Sequence, residues 1–165
     1  MSTQNINIKN TLSVDGEKVE TVEPNDEEQK SGFDHDSFLL SNKKTTTTYR
    51  AAFAQAIGTT GTIAKIVKMA FGIKGETDEQ GNPAPPSDDG NLNEVVLTKD
   101  ITNVTYPVNT SVCFEAEIEA GEYTGDINEV ALIDEENRTF AKMRLLTSKG
   151  IDAESGAVFR WTVEF

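Results

Sequence analysis

The chain has 165 residues, with 28 Asp and Glu against 15 Lys and Arg, for a formal net charge of −13. That length suits one domain with an extension and is enough to bury a core. The acidic surplus excludes nucleic-acid binding by phosphate neutralisation and disfavours docking on an anionic membrane, because both need clustered Lys and Arg.

The N-terminus, Met1-Ser2-Thr3-Gln4-Asn5, has neither a basic region nor an apolar stretch. No secretory signal is read there, and synthesis in the cytoplasm is expected. No apolar run approaches the ~20 residues of a membrane helix. Residues 1–44 read as an extended polar and acidic arm that a partner orders. Within it Ile6 and Ile8 alternate, and Asp15-Gly16 predicts a hairpin turn between Thr11–Val14 and Glu17–Val22. Glu23-Pro24-Asn25-Asp26-Glu27-Glu28 is an acidic break.

Residues 45–165 read as a β-rich domain. Its one good helix signal lies near 48–57, where Tyr49, Phe53, Ala56 and Ile57 recur at helical spacing, with Thr45 to Thr48 as caps and Gly58 as a stop. Thr62 to Phe71 fits a helix face and a β-branched strand equally, and periodicity leaves both open. Residues 72–93 form a long loop with a stiff Pro85-Pro86 step. Loops of that length are functional or disordered.

Strands follow at Glu94–Thr98, Ile101–Tyr106, Ser111–Glu119, Asp126–Ile133 and Thr139–Leu146, with a loop at Lys149–Gly156. In the last strand Phe159, Trp161, Val163 and Phe165 alternate with Arg160, Thr162 and Glu164, the mark of a half-buried strand. Because it runs to the final residue, neither shaft nor tip is expected after it. Short strands separated by polar turns predict a mainly β, α+β fold with one short helix: an antiparallel sandwich or a barrel-like sheet, the sandwich being the expected form.

Catalytic and metal chemistry find little support. His35, the single histidine, lies in Asp34-His35-Asp36, where neighbours in an extended chain point opposite ways, and a solvated linker is the better reading. Cys113, the single cysteine, sits mid-strand and reads as packing, not as a nucleophile. Asp88-Asp89-Gly90-Asn91 lacks the spacing of a calcium loop, and Gly72-Ile73-Lys74-Gly75 lacks the flanks of a phosphate loop. We expect no enzyme activity, cofactor or metal. Tyr106, Tyr123 and Trp161 are possible sugar platforms, but Trp161 shares its face with Phe159 and Val163 and reads as core.

Four landmarks in order carry a resemblance. They are Lys65-Ile66-Val67-Lys68-Met69-Ala70-Phe71-Gly72; Gly90-Asn91-Leu92-Asn93-Glu94-Val95; Ile127-Asn128-Glu129-Val130-Ala131-Leu132-Ile133-Asp134 followed by Phe140-Ala141-Lys142; and Ser148-Lys149-Gly150 leading into Phe159–Phe165. From about Tyr49 to Phe165 the chain resembles the N-terminal attachment domain of phage tail-collar fibre proteins. The resemblance implies a non-enzymatic structural domain, often trimeric, that plugs a fibre into a tail or baseplate. The particle is a contractile-tailed phage or a phage-tail-like injection system. The partners it implies are tail, baseplate or fibre proteins and further copies of the chain, in a particle released from the cell. The chain departs from the pattern in having about fifty residues ahead of the domain and no shaft after it. That shifts the expected role towards a collar, baseplate or fibre-attachment connector. A free carbohydrate- or receptor-binding β-domain, with the 72–93 loop as its contact, is the alternative.

The candidate structural or interface residues are Glu129, Arg144, Arg50 and Trp161. Glu129 shares its strand face with Ile127, Ala131 and Ile133. If that face is buried, the carboxylate needs a cationic or hydrogen-bonding partner, and Arg144, Lys142 and Arg50 are the expected ones.

Overall fold

The computed structural model describes residues 9–18, 38, 41–58 and 61–165. Ile6, Ile8, Val19, Val22, the acidic break and His35 lie outside them. The fold is a mainly β sandwich of two five-stranded antiparallel sheets. The first has the order β2 (Glu17–Lys18), β1 (Lys9–Val14), β10 (Ala157–Glu164), β7 (Ser111–Ile118), β6 (Asn103–Thr105). The second has the order β3 (Lys43–Thr45), β9 (Thr139–Ile151), β8 (Gly125–Asp134), β4 (Ile66–Gly72), β5 (Val95–Asp100). The helix α1 spans Thr47–Gly58.

Alternation fixes the inner faces. Leu12 and Val14 on β1, Phe159, Trp161 and Val163 on β10, and Phe114, Ala116 and Ile118 on β7 pack against the second sheet. That sheet answers with Met69 and Phe71 on β4, Val130 and Leu132 on β8, and Ala141, Met143 and Leu145 on β9. Phe71 and Phe159 join the layers, their ring centroids 4.6 Å apart. Trp161 is fully buried, and its indole N–H donates to Asn10 Oδ1 at 2.9 Å, so the one polar atom of that ring is satisfied inside the core.

The hairpin turn is where the sequence places it. Asp15 (φ 51°) and Gly16 (φ 85°) both lie in the left-handed region that a two-residue primed turn requires. Its strands, however, are not part of an arm. β1 runs antiparallel to β10 over its whole length, Leu12 opposite Trp161, and the Asp15 turn exchanges hydrogen bonds with Val158. β3 likewise pairs with β9. Residues 9–18 and 43–45 therefore belong to the sandwich, and the expected division at 44/45 does not separate them from it. The physical reason is that β10 would otherwise be an open edge carrying Phe159, Trp161 and Val163, and β1 covers it.

α1 starts where Thr46 Oγ1 accepts the Tyr49 N–H at 3.3 Å, an N-cap, while the same hydroxyl donates to the Thr139 carbonyl at 2.5 Å. Tyr49 is its buried anchor, edge-on to Phe140 with centroids 4.4 Å apart and donating to the Ala64 carbonyl. Ile57, expected on the same face, is exposed.

The sheets settle three further points. Of Thr62 to Phe71, where periodicity leaves helix and strand both open, the part from Ile66 on is β4, because β5 and β8 pair with it on either side and supply ladder partners that a helix would forgo. The strands expected at Glu94–Thr98 and Ile101–Tyr106 fall in different sheets: Lys99-Asp100 ends β5 in one, and β6 enters the other. Phe165 follows the last strand and is half exposed, its N–H bonded to the Thr110 carbonyl beyond the end of the core.

Candidate functional site

The long segment between β4 and β5 lies over the outer face of the second sheet, and the polar side chains of that face hold it. β9 alternates Ala141, Met143 and Leu145 inward with Lys142 and Arg144 outward. β8 is less regular. Its register against β9 shifts between Ile127 and Glu129. Ile127 joins the main core, whereas Asn128 and Glu129 both reach the covering segment. A bulge re-aims consecutive side chains in this way. Glu129 therefore shares its face with Ala131 and Ile133 but not with Ile127.

Lys142, Arg144 and Glu129 are all buried. Arg144 donates to three carbonyls: Glu76 at 3.0 Å through Nε, and Asn128 at 3.0 Å and Leu145 at 2.9 Å through Nη1. Lys142 Nζ reaches Ser87 Oγ at 2.7 Å, the Asp89 carbonyl at 2.7 Å and the Asn91 carbonyl at 3.5 Å. Three donors thus face three acceptors of the covering segment. Glu129 accepts the backbone N–H of Glu94 at 3.1 Å and of Asn93 at 3.3 Å. Asn128 completes the set, accepting from Gly75 N–H and donating to the Ile73 carbonyl, both at 2.9 Å.

Two glycines make the close approach possible. A Cβ on Gly72 would collide with the Glu129 carboxylate and the Glu94 carbonyl, and one on Gly75 with the Arg144 side chain. Leu92 of the segment packs on Ala70 and Ala131 of the sheet in a small apolar patch, with Ile133 against it. Further along, Asp78 accepts from the Asn82 side-chain amide at 3.0 Å and from the Asn82 and Gln80 backbone N–H groups, which closes a tight turn and holds its carboxyl below the usual range. The segment is thus tied from Ile73 to Glu94.

Burial lowers the Lys142 pKa, opposed by the charges of Asp89, Glu76, Glu129 and Asp88. Arg144 is lowered by the same cause, with Glu129 opposing. Away from this layer, burial pushes Tyr49 up to about 12, aided by Asp134.

Of the sequence candidates, Glu129 and Arg144 are brought together as cross-strand partners, and Lys142 lies on the same face. Backbone amides hold the carboxylate, and the two cations hold carbonyls, so the expected direct ion pair is replaced by a shared grip on the segment. Arg50 is not on that face; from α1 it reaches the outer side of the covering segment, pairing with the exposed Asp88 at 2.9 Å. Trp161 lies in the main core on the other sheet. Sequence reasoning missed Asn128, Gly75 and Asn10. For Asn10, the alternation Asn10, Leu12, Val14 was the available signal.

Comparison with family models, with curated proteins and with solved structures returned no match. Among the described residues, no helix is long and apolar enough to cross a membrane, and no cluster of His, Cys, Asp or Glu is arranged to hold a metal ion.

Proposed function

We propose that the chain is a structural component of a phage tail or a phage-tail-like contractile injection particle, acting as a collar, baseplate or fibre-attachment connector. Its partners are neighbouring tail, baseplate or fibre proteins and further copies of itself. The observation that carries this reading is spatial. Three of the four landmarks behind the resemblance are far apart in sequence, yet residues from each meet at one place. Gly72 ends the first, Asn93 and Glu94 close the second, and Glu129 and Lys142 come from the third; all lie in the layer that ties down residues 73–94. A motif set that builds a rigid loop platform fits a part that transmits load between neighbours, since the polar groups are spent on holding backbone.

Sedimentation of particles from a lysate of the source cells, with mass spectrometry of the pellet, tests this. The chain is expected to co-sediment with sheath and tube proteins in a fixed ratio. Recovery in the soluble fraction while intact particles pellet would overturn the reading and favour a free carbohydrate- or receptor-binding domain.

A further inference from the structure

The four polar side chains beneath the covering segment bond to backbone, with one exception. Glu129 and Asn128 take backbone groups of the segment, and Arg144 takes carbonyls alone. Lys142 takes the carbonyls of Asp89 and Asn91, but its third partner is a side chain, Ser87 Oγ at 2.7 Å. A carbonyl would anchor the segment equally well, so the hydroxyl is open to a second role. The two residues lie 55 positions apart in the chain, which hides the pair from any local motif.

Lys142 is buried and Ser87 is exposed, so the hydroxyl stands between a dry amine and solvent. As an ammonium, Lys142 donates to all three partners. As a neutral amine it has two N–H donors and one lone pair. The Asp89 and Asn91 carbonyls can only accept, so they take the N–H groups, and the Ser87 hydroxyl is the one partner able to donate to the lone pair. The same positions therefore satisfy the neutral form. Burial favours that form by lowering the Lys142 pKa, opposed by Asp89, Glu76, Glu129 and Asp88. Two cations of the same sheet also disfavour a further charge: Lys44 stands directly opposite on β3, and Arg144 is two residues on in β9.

We propose that Ser87 is a nucleophile activated by Lys142 and takes acyl groups from carboxylic esters. Ser87 Oγ attacks the ester carbonyl, and its proton passes to Lys142 Nζ. The bond from Oγ to the acyl carbon forms, the bond to the alcohol oxygen breaks, and the proton leaves with that alcohol. Water then attacks the Ser87 ester, Lys142 again carrying the proton, and the acid is released. A hydroxyl within hydrogen-bond reach of a buried amine is the minimal pair for this chemistry. The backbone N–H groups of Ser87, Asp88, Asp89 and Gly90 have no acceptor among the described residues, so they are free to bond the oxygen that becomes negative in the transition state. In the same bend, Gly90 and Asn91 line an open cavity of about 150 Å³ with Thr46, Thr48, Asn137 and Arg138, which suits a short acyl group.

This inference does not rest on the particle reading, and the isolated full chain tests it. The probes are p-nitrophenyl acetate, for turnover, and a fluorophosphonate, which loses fluoride and marks the reacting serine for peptide mass spectrometry. Ser87 is expected to be marked at least ~10-fold faster than Ser155, an exposed serine bonded to the Asp152 carboxylate instead of to an amine. The rate is expected to climb with pH and to level off below 10.5, at the lowered pKa of Lys142. Ser87→Ala should abolish the adduct at this position and the release of p-nitrophenolate. Lys142→Arg keeps a cation for the carbonyls but cannot serve as a base, and should cut both at least ~10-fold with an unchanged melting midpoint. Marking of Ser87 no faster than of Ser155 overturns the proposal. So does a rate that rises in proportion to hydroxide with no plateau, or one that persists in Lys142→Arg. Should Lys142→Arg fail to fold, the first two readings on the wild-type protein decide.

Discussion

The outer faces of the two sheets are built from the same kind of strand and meet opposite fates. On the first sheet Arg160 of β10 and Glu115 of β7 stand directly opposite and pair at 2.7 Å in partial contact with solvent. On the second, Arg144 of β9 and Glu129 of β8 also stand opposite, but both are buried and each is bonded to backbone. The sequence pattern of the two pairs is alike. What differs is the 73–94 segment, which covers one and not the other. An Arg–Glu cross-strand pair in water contributes little, because screening and side-chain entropy offset the attraction. A buried one must have every donor and acceptor met, and so becomes a clamp.

Substitutions can sharpen that contrast. The largest effect is expected from Arg144→Ala, which takes the guanidinium from three carbonyls and leaves Lys142 as the one cation near Glu129 in this layer. Denaturant unfolding should show a loss of about 3–5 kcal/mol. Gly72→Ala comes next: the new methyl group must displace a backbone carbonyl as well as the Glu129 carboxylate, at a cost of about 1–3 kcal/mol by thermal melting. Glu129→Gln keeps the shape but sets an amide against the Asn93 and Glu94 N–H groups. A loss of about 1–3 kcal/mol is expected, and an unchanged midpoint would remove Glu129 from the clamp. The counterpart on the open face, Arg160→Ala, should stay within ~1 kcal/mol.

The same contrast has a pH signature. Lys142 binds its proton less tightly when folded, so the unfolded chain holds more protons as pH rises. Stability gains from this residue begin at its lowered folded pKa and are complete above the unfolded 10.5. Tyr49 acts in the opposite sense. Its raised folded pKa means that stability is fully present below 10.0 and is lost as pH climbs towards about 12. In urea titrations across alkaline pH, Lys142→Met should flatten the rise and Tyr49→Phe the fall.

Much of the fold is written in local pattern. The alternation of β7 and β10, the Asp15-Gly16 turn and the Thr-capped helix at Tyr49 depend on residues close in sequence, and each lies where that pattern puts it. What escaped depends on distant partners. β4 carries a helical spacing that two flanking strands override. β1 reads as a polar arm until β10 is seen to need a neighbour. The clamp was half legible: Glu129 stood out as a carboxylate among apolar residues, and Arg144 and Lys142 as its nearest cations. The bulge that turns Asn128 towards the segment, and the carbonyls that receive the cations, have no sequence signature.

The central claim is that residues 73–94 form a fixed layer held by the buried face beneath them. Amide hydrogen exchange across this segment, read in wild type and in Arg144→Ala, tests it most directly. The account predicts that the amides of Gly75, Ala84, Asn93 and Glu94, all bonded in the structure, exchange far more slowly than unbonded loop amides, and that Arg144→Ala releases them while β7 and β10 stay protected. Rapid exchange of those amides in the wild-type protein would contradict it.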